Sequence, residues 1–248
     1  KNKISFTNSI DCLESTNNMK QSLNSNFDLP IIYNIKTDKN VILIGDIHGS
    51  FHSFFRIFLR LLKQNIIDND LKLNNYKLIF LGDVFDRGQF GYECLILILL
   101  LMKKNNTENE LNVMLNRGNH ENFEVSGHYG FMYELFSKVR TNKRGDDYAK
   151  LYKFIETYLS SAIILNHNNT KYWLCHGGFP FVKLNKNGKS YLEPINFSKY
   201  KDYDIIMLKN YNLHIEWNDF HNNPKTIINA KRGSKDNSML VIGTNDLK

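Results

Sequence analysis

The sequence predicts an α/β fold, and two observations carry that prediction. Short β-branched apolar runs that end in glycine alternate with stretches of helical period, the pattern of β-α-β crossovers and parallel pairing. A polar tetrapeptide, His167-Asn168-Asn169-Thr170, separates two later apolar runs and signals a hairpin, so the second half turns towards antiparallel pairing. The expected architecture is therefore a set of mixed sheets flanked by helices.

Residues 1–30 are rich in Ser and Asn with isolated apolar residues, and they read as an irregular lead-in ending at Pro30. Regular structure is expected to start at VILIG (41–45), an apolar run short enough for a strand buried on both faces. Phe51, Phe54, Phe55, Phe58, Leu59 and Leu62 then recur at helical spacing, with Arg56, Arg60 and Lys63 off the stripe, which predicts an amphipathic helix packed on the sheet. KLIFLG (77–82) repeats the strand, 92–104 repeats the helix, and LNVMLN (111–116) supplies a third strand. Two helices are expected near 131–139 and 147–160, on either side of the polar TNKRGDD. AIILN (162–166) and KYWLCH (171–176) form the hairpin. Residues 181–238 are poorly periodic and read as loops and short helices, and SMLVIG (238–243) is a last strand. No linker, low-complexity boundary or internal repeat forces a second domain.

Composition narrows the class of protein. The chain has 248 residues, 42% of them hydrophobic and 13% aromatic, with 4 prolines, which fits a folded globular chain and not a disordered or collagen-like one. Its longest apolar run, CLILILLLM at 94–102, stops at Lys103, well short of the ~20 residues that cross a bilayer, so no membrane partner is expected. No apolar stretch of signal-peptide length opens the sequence, and Cys12, Cys94 and Cys175 lack CxxC spacing. A reducing location, cytoplasmic or nuclear, follows as the expectation. The net charge of +7 could suit phosphorylated or nucleic-acid partners, but the lysines are scattered, which argues against nucleic acid.

The informative residues lie at the carboxyl ends of the predicted strands, where open α/β sheets place their ligand sites. Gly45-Asp46-Ile47-His48-Gly49 follows the first strand, Gly82-Asp83-Val84-Phe85-Asp86-Arg87-Gly88 the second, Arg117-Gly118-Asn119-His120-Glu121 the third, and His176-Gly177-Gly178 the hairpin. One Asp-x-His is usually a helix cap or a loop hydrogen bond; four such ends in one chain point to a common site. Asp46 and His48 are two apart, so an extended backbone aims both the same way. A carboxylate such as Asp83 can bridge two ions, Asn119 offers a carbonyl oxygen, and His176 an imidazole. This donor set, without thiolate, suits Mn, Fe or Zn. Two such ions about 3.5–4 Å apart can hold a hydroxide and grip the phosphoryl oxygens of an in-line attack. No Cys-x5-Arg loop, Gly-x-Ser-x-Gly elbow or Walker loop offers another route.

GDIHG, GDVFDRG, GNHE and HGG, in this order and spacing, resemble the signature of the metallophosphoesterases. The Asp-Arg-Gly of the second motif resembles the phosphoprotein phosphatase family in particular, over about 41–178 and more weakly through Trp217-Asn218-Asp219 and Lys231-Arg232-Gly233. The resemblance implies a four-layer α/β/β/α sandwich over 31–248, two divalent ions (Mn, Fe or Zn), and hydrolysis of phosphomonoesters, foremost phosphoserine and phosphothreonine in proteins, by a metal-bridging hydroxide. It implies that Asp46, His48 and Asp83 hold the first ion and Asp83, Asn119 and His176 the second. His120 would be the general acid, with Asp86 orienting its ring, and Arg87 and Arg232, with Asn119, would bind the substrate phosphate. Phosphorylated proteins are the implied substrates, and a regulatory subunit fits the family. Glu121 reads as hydrogen-bonding support or a salt-bridge partner and not as a base. His52, His128, His167, His214 and His221 lack ligand spacing, and Trp173, Trp217 and Cys175 read as packing residues.

Family members usually supply one further His to the second ion from a later strand. The sequence reaches Lys248 before such a His, which leads to the expectation of a C-terminally truncated domain with a weaker second site. Two other readings stand beside the first. One is a hydrolase of dinucleoside polyphosphates of the diadenosine tetraphosphate type, which shares the motif set; the other is a catalytically impaired, phosphoprotein-binding relative.

Overall fold

The computed structural model describes residues 31–107, 109–138, 151, 155, 159–186, 189–194, 196, 198, 205–207, 215–220, 227–229 and 239–242. The expected lead-in at 1–30, most of the helix expected at 147–160, and Arg232 lie outside them. The described residues divide into two compact units, the first taking 39–115 and 120–159, the second 31–38, 116–119 and those from 160 onwards.

Strand β1 (Ile31–Lys36) belongs to the second unit. In the first unit, β2 (Asn40–Ile44), β3 (Tyr76–Phe80) and β4 (Val113–Leu115) form a parallel sheet in the order β2-β3-β4, with Ile42 opposite Leu78 and Ile79 opposite Met114. Helices α1 (Phe51–Lys63) and α2 (Gly91–Asn105) make the two crossovers. This is the parallel β-α-β core that the alternating pattern predicts. Burial on both faces is true of β3, where Leu78, Ile79 and Phe80 are at most 1% exposed. It fails for β2, whose Leu43 is 47% exposed; among the described residues β2 pairs with β3 alone and lies at the edge of its three-stranded sheet. The apolar stripe of α1 is also narrower than expected: Phe54, Phe58 and Leu61 face the core while Phe55 and Leu59 are exposed. From α2, Cys94, Leu95, Ile98, Leu99 and Leu101 are buried, which disposes of the longest apolar run.

A helix that the sequence reading did not anticipate, α3 (Phe123–Tyr129), opens on Asn122, whose side chain accepts from the N–H groups of Glu124 and Val125. Its composition gives little helical signal, and the cap supplies what propensity does not. Gly130, at φ 113°, ends it, and α4 (Phe131–Lys138) follows as expected. Glu134 on α4 reaches across to accept from Gly91 N and Tyr92 N at 3.1 and 2.8 Å, capping α2 from outside. Of the next expected helix, Leu151 and Ile155 are helical and buried with Leu159 in the core of the first unit.

In the second unit the main sheet has the order β6-β5-β1-β9. Strand β5 (Ala162–His167) runs parallel to β1 and antiparallel to β6 (Thr170–Cys175), and β9 (Ile205–Met207) is antiparallel to β1. The predicted hairpin is present, with Asn168 and Asn169 at φ 49° and 63°, the double left-handed geometry of a two-residue turn. Ile32, Ala162, Ile164 and Ile215 form a small core against which Trp173 and Cys175 pack. The sequence reading passed over β1 because a six-residue run interrupted by Asn34 looks polar. Asn34 is 1% exposed and its side-chain oxygen accepts from Asn166 at 2.8 Å, so the interruption is a satisfied buried pair.

Among the described residues of 181–238, strands replace most of the loops and short helices expected there, while the last strand expected at 238–243 is present. Strands β7 (Phe181–Lys186) and β8 (Lys189–Pro194) pair antiparallel, a 3-10 turn spans Ile215–Trp217, and β10 (Asp219–Phe220), β11 (Ile227–Asn229) and β12 (Met239–Ile242) form a sheet in the order β10-β12-β11. Strands of two to six residues are too short to show a period, and Asn187-Gly188, a favoured hairpin dipeptide, was the available signal. Among the described residues, no helix is long and apolar enough to cross a membrane.

Candidate active site

In the first unit, loops after three strands meet at Asp83. Its carbonyl accepts the N–H groups of Ile47 and His48, both at 2.9 Å, and the next carbonyl, of Val84, accepts from Gly49 at 2.8 Å. Gly88 N–H in turn donates to His48 O at 3.0 Å. Glycine is needed at both ends of this contact: a Cβ on Gly88 would lie 2.4 Å from His48 O, and one on Gly49 would lie 2.9 Å from the backbone of Gly88. From the third loop, His120 N–H donates to Asp83 Oδ1 at 3.0 Å. The backbone here is strained. His48, Asp83, Asp86 and Arg87 have φ of 46°, 52°, 68° and 64°, a region that costs non-glycine residues roughly 1–2 kcal/mol each. Asp46 and His48 therefore do not converge because the chain is extended, as the spacing suggested. They converge because β2 ends at Ile44 and His48 sits in a left-handed turn.

Two imidazoles have their tautomers set by their partners. His48 Nδ1 lies 3.1 Å from the carbonyl of Phe85, which can only accept, so Nδ1 carries the proton. Its Nε2 faces Asp83 Oδ2 at 3.3 Å and Asp46 Oδ2 at 3.9 Å. His120 Nδ1 donates to Asp86 Oδ2 at 2.8 Å, and its Nε2 accepts from Arg87 Nη2 at 3.2 Å. Asp86 is fully buried, and its other oxygen accepts the N–H of Phe131 at 3.0 Å. The rings of His48 and His120 stand edge to face with centroids 4.9 Å apart, and Tyr129 meets His120 from another side at 4.8 Å.

These donors fit a cation. One ligand atom each from His48, Asp83 and His120 lies within 4.8 Å of the others, and Asp46 stands at the more exposed rim. An imidazole nitrogen and two carboxylate oxygens that converge on one point attract positive charge, and metal–ligand bonds of ~2.1 Å put neighbouring donors about 3 Å apart.

In the second unit, Asn119 Oδ1 and His176 Nε2 are 3.0 Å apart, the same spacing. The strand end bearing Asn119 is braced by Arg117, whose Nε and Nη2 donate to Glu216 Oε1 at 3.0 and 2.9 Å, with Ser161 Oγ donating to the same oxygen at 2.7 Å. Burial pushes the Glu216 carboxyl up, but the Arg117 charge and these hydrogen bonds outweigh it and hold it below its usual range. Gly177, after His176, leaves no room for a Cβ, which would lie 2.3 Å from Ile215 O. Burial drives the Cys94 and Cys175 thiols up to about 12, so neither is a thiolate nucleophile.

Each expected site residue among those described thus has a defined place: Asp46, His48, Asp83, Asp86, Arg87 and His120 gather in the first unit, and Asn119 and His176 pair in the second. What sequence reasoning missed are backbone groups, Phe85 C=O on His48 and Phe131 N–H on Asp86, which no residue identity announces.

The model of the calcineurin-like phosphoesterase family matches residues 39–241. The chain belongs to the calcineurin-like phosphoesterases. Membership in this metallophosphoesterase family implies divalent metal ions, and His48, Asp83 and His120 form a cluster able to hold one. The serine/threonine-protein phosphatase PP2A-like PPG1 of Candida albicans is 31% identical over 144 residues, 58% of this chain and 30% of that protein. The serine/threonine-protein phosphatase rdgC of Drosophila melanogaster is 28% identical over 163 residues, 65% of this chain and 22% of that protein. A solved protein serine/threonine phosphatase from Saccharomyces cerevisiae has the same fold, with a TM-score of 0.58 at 18% identity over 98% of this chain and 65% of that one. This calcineurin-like phosphoesterase chain therefore spans under a third of the length of the curated relatives named here.

Proposed function

We propose that the chain carries the catalytic machinery of a metal-dependent phosphomonoesterase acting on phosphoserine and phosphothreonine in proteins. The observation that carries this reading is the Asp86–His120–Arg87 relay beside the paired donors of His48 and Asp83. Asp46, His48 and Asp83 would hold one divalent ion, and Asn119 and His176 are a further donor pair. When bound, such ions polarise the phosphoryl group and lower the pKa of water. Arg87 would bind the substrate phosphate, joined by Arg232 as the sequence resemblance implies. Its guanidinium fork, which now donates to His120 Nε2, matches phosphoryl oxygens. With Arg87 turned to the phosphate, His120 would take up a proton from solvent at Nε2, the buried Asp86 carboxylate holding the ring by Nδ1 and stabilising the imidazolium, and would then deliver that proton to the leaving alkoxide and return to the Nδ1–H form. Water is the nucleophile, in keeping with two thiols held protonated by burial.

Relatives named as serine/threonine phosphatases favour protein substrates over dinucleoside polyphosphates. The test is phosphate release, in buffer with Mn, from phosphoserine and phosphothreonine peptides set beside diadenosine tetraphosphate. Release from the peptides, abolished by a chelator, is the expected result. Hydrolysis of the dinucleotide alone would overturn the substrate class. Binding of phosphopeptides without turnover would leave a phosphoprotein-binding relative as the better reading.

A further inference from the structure

Glu121 has no part in the chemistry proposed above, yet its carboxylate is fully buried and both its oxygens are committed. Oε2 accepts the N–H of Asp83 at 2.7 Å and Oε1 the N–H of Val84 at 2.8 Å. These two amides flank a residue in the left-handed region, at φ 52°. The rest of Asp83 is spoken for: its carbonyl takes Ile47 and His48 N–H, and its Oδ1 takes the N–H of His120, the residue before Glu121. Asp83 and the His120-Glu121 dipeptide therefore clasp each other reciprocally, side chain to backbone in both directions. A buried carboxylate is costly unless charge-assisted hydrogen bonds compensate it, and two converging N–H groups are what a carboxylate can satisfy and an amide cannot. Glutamine, of the same shape, would turn an NH2 against one of them.

We infer that Glu121 is a positioning residue for the proposed reaction. It holds the Asp83-Val84 turn so that Asp83 Oδ2 stays against His48 while Oδ1 stays under the His120 backbone, and it thereby fixes the cation-binding oxygen and the proton donor with one side chain. The inference rests on the reading of Asp83 as a metal ligand and His120 as the acid.

The test compares wild-type protein with Glu121→Gln, measuring Mn binding from the free-Mn EPR signal, phosphopeptide kcat and KM, and thermal melting. Support of this kind for a ligand typically contributes 10–100-fold in metal affinity, so Mn should bind the variant 10–100-fold more weakly and kcat should fall at saturating Mn. Unchanged Mn affinity and kcat in a variant that merely melts earlier would overturn the inference, since that is what a structural role predicts. A second measurement needs no variant. In the metal-free wild-type protein, the Asp83 and Val84 amide protons should resonate downfield and exchange slowly, and rapid exchange at both would refute the clasp. Absence of Mn binding by the wild-type chain would instead count against the proposed function, and the amide signals would still decide whether Glu121 holds the turn.

Discussion

Replacing Gly88 by alanine tests whether the site depends on close backbone contact. The added Cβ would lie 2.4 Å from His48 O and 2.7 and 2.8 Å from the backbone of Gly49, none of which is a side chain that can swing away. Restoring a C···O distance of roughly 3.2 Å requires the two loops to part by ~0.8 Å. Overpacking of this kind costs about 1–3 kcal/mol. For a chain of this size that lowers Tm by ~2–4 °C per kcal/mol, or about 2–12 °C. The shift falls on the carbonyl of His48, and misplacement near 1 Å at a reacting centre costs ~10² in rate. Gly45→Ala is the control: it adds the same methyl group in a neighbouring motif, but nothing lies within 4 Å of it, so stability should change by less than about 0.5 kcal/mol. Thermal melting and phosphopeptide kcat/KM of both variants decide the matter. A Gly88→Ala protein that melts and turns over like wild type, or a Gly45→Ala protein damaged to the same degree, would refute the contact argument.

Other outcomes follow from the same geometry. Asp86→Asn offers one acceptor where His120 N–H and Phe131 N–H now take two, so kcat should fall ~10²–10⁴ with Mn binding retained; equal loss of Mn would contradict the separate role. Arg117→Leu leaves the buried Glu216 carboxylate without its cation and should cost about 3–5 kcal/mol in urea unfolding, towards the lower figure because the Arg117 side chain is 21% exposed. Because the folded pKa of Glu216 is lowered, its contribution is full above the ordinary value of 4.5 and is lost as pH falls through the folded pKa. With Arg117 gone, burial alone raises that pKa, so protonating Glu216 would then favour the folded state: the variant's stability deficit should be largest near neutral pH and shrink as pH falls below about 4.5, and a deficit that stays constant with pH would sink the assignment. Asn169→Val puts a β-branched residue at φ 63° and should destabilise by roughly 1–2 kcal/mol, read as a drop in Tm.

The parts of the fold legible in the sequence are those whose signal is local. The β2-α1-β3-α2-β4 run and the Asn168-Asn169 hairpin each announce themselves within a few residues, and the site motifs sit where strand ends place them. Glu121 was legible as a supporting carboxylate, though not which two amides it would take. Strand β1 was hidden because its partners are far along the chain and its polar Asn34 is satisfied only by Asn166. Helix α3 was hidden because a cap and not a period defines it. The convergence of Asp46 and His48 was foreseen for the wrong reason, since a left-handed turn brings them together and spacing on an extended chain does not.

The pairing of β1 with β5 has a consequence for how the chain is made. Ile32 lies opposite Ala162, so 162 − 32, or 130 residues, must be synthesised before the strand meets its parallel neighbour. At ~5–20 residues per second the wait is about 7–26 s. Leu78 and Val113 in the first unit are separated by only 113 − 78, or 35 residues, so that sheet can close several times sooner. Through this interval IIYNIK emerges from the ribosome with both edges unpaired, a short apolar strand open to the wrong partner. Slower translation between 116 and 160 lengthens the exposure, and yield of soluble protein, not turnover, is where that topology registers.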